Sequence, residues 1–93
     1  MTIAVLQLEI RFPEPQSLKE KRMILKSLLR RMRNRFNVAV AEIEGMDLWQ
    51  RSLLAIASVS RERRQASELL DHIVEFVCAE RRIEVLRQQT ELL

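Results

Sequence analysis

Eight basic side chains fall between Leu18 and Phe36 (Lys19, Lys21, Arg22, Lys26, Arg30, Arg31, Arg33 and Arg35) against one acid, Glu20, giving a local charge of +7. The rest of the chain carries −4, so the formal net charge of +3 hides a strongly dipolar protein. Wound as a helix, Lys19, Arg22, Lys26, Arg30 and Arg33 form one continuous stripe about 21 Å long. Lys21, Arg31 and Arg35 are expected on the opposite flank of the apolar seam, making the exposed surface basic from edge to edge. Guanidinium and ammonium groups in a row suit phosphates, and five such contacts would give a salt slope of about −4 to −5 on a duplex. Three readings are open to this stripe: a face solvated or paired within the molecule, a surface for RNA or the ribosome, and a surface for an acidic protein.

The other reactive types are sparse. His72 has no ligand-spaced partner and falls on the polar side of its helix, so a surface position is expected. Cys78 is the only cysteine and reads as a small buried hydrophobe rather than a nucleophile. With no second thiol there is no internal disulfide and no zinc site to expect. Glu9 with Glu42 or Glu44 is the one carboxylate pair that neighbouring strands could bring together. Arg11 ends the first apolar run, but a phosphate cradle there would need glycines, and Pro13 and Pro15 stand in their place. No glycine-rich loop, nucleophile elbow or HExxH motif occurs. The chain is therefore expected to bind rather than catalyse, with no cofactor, no metal and no small-molecule substrate.

The elements that must position these groups follow from periodicity. Ile3 to Phe12 alternates, with Ala4, Leu6, Leu8, Ile10 and Phe12 on one side, as in a half-buried strand. The prolines end it, and Ser17 with Glu20 makes a capping box for a helix from Leu18. The seam of that helix is Leu18, Leu25, Leu28, Leu29, Met32 and Phe36. Asn37 is expected to stop it in a left-handed conformation. Val38 to Ile43 reads as a short strand, and Gly45-Met46-Asp47 as a link to another running from Leu48 or Trp49 to Ser60. Ser60 is expected to cap a second helix, Arg61 to about Arg81, with its seam at Ala66, Leu69, Leu70, Ile73, Phe76 and Val77. A strand from Ile83 to about Leu86 completes the order βαββαβ. This predicts an α+β fold of ferredoxin-like type: a four-stranded antiparallel sheet, strand order 4-1-3-2, with two helices on one face.

With 93 residues and 47% apolar side chains, the chain suits a single domain with one core. The N-terminal run lacks the pattern of a signal peptide, and no apolar stretch is long enough to cross a bilayer; a cytoplasmic, non-membrane protein is expected. If Leu54, Ile56 and Ser58 face the helices, then Leu53, Ala55, Ala57 and Val59 face outwards. Ile3 and Val5 join them, with Ala39, Ala41 and Ile43 alongside. Monomers rarely leave so large an apolar patch in water, so a homodimer through this face is expected. Base stacking on the sheet is not, because Val5, Gln7, Ala55 and Ala57 include no aromatic ring. Trp49, between Asp47 and Arg51, is expected in the core or the dimer interface, and Phe36 in the core.

The runs Ser17-Leu18-Lys19-Glu20-Lys21-Arg22, Asn34 to Glu42 (NRFNVAVAE) and Asp47-Leu48-Trp49-Gln50-Arg51 resemble the YlxP-like family of small bacterial proteins. The resemblance extends over essentially the whole chain. It implies a ferredoxin-like fold and no established catalytic activity. Genes of the family often lie beside those for translation initiation and ribosome maturation factors, which implies a ribosome-linked role, but it assigns no functional residues.

Overall fold

The computed structural model describes residues 1–93. Its elements are β1 (Thr2–Arg11), α1 (Leu18–Arg35), β2 (Ala39–Glu44), β3 (Arg51–Ser60), α2 (Arg63–Cys78) and β4 (Glu84–Leu92). The sheet order is β2-β3-β1-β4, every pairing is antiparallel, and the order matches the βαββαβ expectation. The alternation in β1 is what fixes the layers: Ala4, Leu6, Leu8 and Ile10, continued by Phe12, lose all exposure, while the odd-numbered residues between them are half-buried. In β3, Ser52, Leu54, Ile56 and Ser58 turn to the same side. Leu25, Leu28 and Met32 of α1 and Ala66, Leu70, Ile73 and Val77 of α2 close over them in a single core.

The start of α1 follows the capping chemistry. The Glu20 N–H donates to Ser17 Oγ at 3.1 Å, and the Glu20 carboxylate accepts from the Gln16 N–H at 2.7 Å, one residue before the cap. Its end does not follow expectation. The helix stops at Arg35 with Phe36 extended, and Asn37 adopts no left-handed conformation; Gly45 alone has a positive φ. At φ +91° a side chain on Gly45 would meet the Arg51 carbonyl oxygen 2.7 Å away, so the link between β2 and β3 requires glycine here.

Other boundaries move as well: β3 begins at Arg51 rather than at Leu48 or Trp49. Ser60 remains in β3, and α2 begins two residues later than expected, behind Glu62, whose side chain makes no capping bond. The helix ends at Cys78, one position beyond the core residue Val77, and this rotates the thiol into solvent: Cys78 is exposed, not a buried hydrophobe. β4 runs six residues past Leu86 to Leu92, where Gln88, Gln89 and Thr90 pair with the β1 backbone although their side chains carry no apolar signal. Trp49 lies in the β2–β3 link at 52% exposure, outside the core. Phe36 packs on the rim of the core, edge-to-face against Phe76 with centroids 5.6 Å apart. No helix is long and apolar enough to cross a membrane.

Candidate nucleic-acid interface

All five stripe residues, Lys19, Arg22, Lys26, Arg30 and Arg33, lie on the exposed side of α1. Lys19, Arg22, Lys26 and Arg30 take part in none of the ion pairs of the molecule. Arg33 differs from them. Its Nη2 donates to the Val40 carbonyl oxygen at 2.8 Å, covering an acceptor of β2, the strand at the sheet edge.

The opposite flank is basic only in its C-terminal half, which corrects the expectation of an edge-to-edge cationic face: Arg31 and Arg35 are exposed, but Lys21 is not. Lys21 is completely buried, because positions 21, 25, 28 and 32 follow one another at i, i+4, i+7 and i+11 and form the inward line of the helix. Its Nζ donates to Glu42 Oε2 and to the Gly45 carbonyl, both at 2.8 Å, and lies 5.6 Å from the centre of the Phe12 ring. Ser52 Oγ donates to the same Glu42 oxygen. Arg31 pairs with Glu80, and Arg35 stacks near Phe36 and Phe76 with its Cζ 5.6 and 5.7 Å from the ring centres.

Glu80 sits just past α2 and is gripped on both oxygens. Arg82 Nε and Nη2 reach it at 3.0 and 2.9 Å, the Arg82 N–H at 3.1 Å, and Arg31 adds a further guanidinium contact. The Arg82 side chain is the main reason the Glu80 carboxyl is held down to about 2, with its backbone N–H and Arg31 adding to the effect and burial opposing it. Arg82 is raised in turn by the same contact.

On the opposite side of the sheet, Ile3, Val5, Leu53, Ala55 and Ala57 are half-buried and Val59 is exposed. The ladder sets Ala57 between Ala39 and Val5, and Ala55 between Ala41 and Gln7. The apolar patch therefore spans β2, β3 and β1, and Arg87, Gln89 and Glu91 of β4 border it. At one end a cavity of about 220 Å³ has Glu9, Glu44 and Arg51 in its wall, with Arg51 pairing to Glu9 at 2.9 Å. The irregularity after Glu42 separates the carboxylates: Glu42 faces the helices and Lys21, whereas Glu44 shares the cavity with Glu9. His72 is exposed on α2.

Comparison with known proteins agrees with this architecture. The model of the DUF503 family, described as a protein of unknown function, matches residues 3–90. The uncharacterized protein YlxP of Bacillus subtilis (strain 168) is 43% identical over 75 residues, covering 81% of this chain and 82% of that protein. Among solved structures, the de novo designed protein Foldit4 shares the fold, with a TM-score of 0.58 over 96% of both chains at 17% identity. Matched along nearly its whole length by the family's sequence pattern, the chain belongs to the DUF503 family, whose function is unknown.

Proposed function

We propose that this chain is a non-enzymatic cytoplasmic binding protein that engages structured RNA, on the ribosome or free of it, through Lys19, Arg22, Lys26 and Arg30. One observation carries the reading: four exposed cations in line on one helix, none answered by a carboxylate of the same molecule. Like charges at helical spacing repel by a few tenths of a kcal/mol per pair, and phosphates along a duplex relieve that repulsion while releasing counterions. Recognition of this kind reads backbone shape, in keeping with a sheet face without aromatic residues. The test is co-sedimentation with ribosomes, comparing the natural chain with Arg22→Glu/Lys26→Glu/Arg30→Glu. The variant should stay in the supernatant with an unchanged circular dichroism spectrum. Equal pelleting of both proteins would end the RNA reading, and a nuclease-resistant acidic protein captured from lysate would replace it with a protein-interaction module.

The open sheet face supports a second element of the reading, a homodimer in which a copy of the chain covers Ile3, Val5, Leu53, Ala55, Ala57 and Val59. The alanines permit close approach of two sheets, and burial of the patch is favourable at about 25 cal/mol per Å². Light scattering coupled to size exclusion should give twice the 11.0 kDa chain mass at micromolar concentration. Ala57→Lys, which sets a charge in the middle of the patch, should give the single-chain mass. A natural chain still monomeric at high micromolar concentration would rule the dimer out.

A further inference from the structure

The largest cluster of chemistry outside the stripe lies where the C-terminal half of α1 meets the end of α2. A cavity of about 550 Å³ is lined there by Arg31, Arg35, Phe76, Glu80, Arg81 and Arg82, within the size range of small-ligand sites. Four arginines face one carboxylate. Both oxygens of Glu80 are already taken by Arg31 and Arg82, so Glu80 holds these groups in place and leaves an excess of positive charge. Arg35 and Arg81 have no carboxylate partner. The Arg31 and Arg35 guanidinium carbons lie 5.8 and 5.7 Å from the Phe76 ring centre, and the Phe36 ring braces Phe76 from its edge.

We infer that this cavity is a nucleotide site, taking a planar base against the Arg35–Phe76 stack and a phosphate on the surrounding arginines. The two halves of the ligand answer two separate features. A delocalised guanidinium plane and an aromatic ring offer stacking surfaces to a base, and arginine forks match phosphate oxygens with paired hydrogen bonds. A simple carboxylate would use the charge and leave the stack idle. The nucleotide has two sources, an unpaired residue of a folded RNA or a free mononucleotide. The first rests on the RNA reading above: Arg31 and Arg35 share α1 with the stripe but lie on its opposite flank, so the RNA must pass round the C-terminal end of the helix to deliver an unpaired nucleotide to the cavity. The second does not depend on that reading.

The experiment separates the sources. Fluorescence anisotropy compares a fully paired RNA hairpin with the same hairpin carrying one bulged adenosine. Amide NMR spectra of the full chain are then recorded with added AMP. Stacking of one base should make the bulged RNA bind about tenfold tighter. Arg35→Gln, which alters an exposed side chain, should bring the two RNAs to within about twofold while affinity for the paired one stays nearly constant. Phe76→Leu should do the same where it folds, but Arg35→Gln decides the matter alone. AMP should shift signals of Arg35, Phe76 and Arg82 in the natural chain and not in Arg35→Gln. Equal binding of the two RNAs with no AMP shifts overturns the nucleotide site and leaves the stripe standing. AMP shifts without binding of either RNA uphold the site for a free nucleotide and overturn the RNA reading. Silence from AMP and both RNAs overturns both.

Discussion

Lys21→Met should cost about 3 kcal/mol of stability, a large share of what a domain of this size possesses. The side chain is buried without residual exposure, and its ammonium is the charge that balances Glu42. Methionine fills the space of the lysine stem over Phe12 but leaves the Glu42 carboxylate with Ser52 Oγ alone, and the Gly45 carbonyl without its side-chain donor. Removing one partner of a buried pair typically costs about 3–5 kcal/mol, and the lower end applies because Glu42 keeps 15% side-chain exposure through which water can reach it. In urea the midpoint should fall by about 1–3 M. Lys21→Met/Glu42→Leu should be more stable than Lys21→Met alone, since the uncompensated charge leaves with its partner. A midpoint shift below about 0.5 M in the single variant would mean that the pair is solvated and that the link between β2 and β3 is held by its glycine turn without help from the lysine.

Lys21 also shows where sequence reading of this chain stops. The helical spacing that exposes the stripe also places position 21 in line with Leu25, Leu28 and Met32, so its inward direction was legible from periodicity. Residue type pointed the other way, because a lone lysine on a core face is rare unless paired, and its partner Glu42 lies 21 positions on, on β2, reached only once α1 packs against the sheet. Cys78 went astray for the converse reason: it follows Val77 in an apolar run, and one step along a helix turns a side chain by about 100°. The strands were legible where one face is apolar, as in β1 and β3. They were not legible in β4, whose pairing beyond Leu86 is a backbone matter. The stripe could be read because it lies within a single helix. The Arg31, Arg35, Phe76 and Arg82 cluster could not, because it joins three segments and becomes a neighbourhood only after the helices pack.

The salt dependence of RNA binding should report four phosphate contacts, where the sequence suggested five. With Lys19, Arg22, Lys26 and Arg30 engaged, the logarithm of the association constant should fall against the logarithm of salt with a slope of about −3.6, so that going from 50 to 200 mM weakens binding roughly 150-fold. Lys26→Ala should flatten the slope by about 0.9 and weaken binding to every duplex alike, as expected of a group that touches backbone rather than bases. Arg33→Ala should leave the slope unchanged, because its guanidinium is committed to the Val40 carbonyl and its loss is felt at the sheet edge. Titrations of the natural chain and both variants by fluorescence anisotropy would settle the count. A slope shallower than about −2 would mean that the stripe is mostly solvated even when RNA is present. A drop of a full contact in Arg33→Ala would show that Arg33 abandons β2 on binding and that the whole helix face, rather than its first three turns, is the surface presented to phosphate.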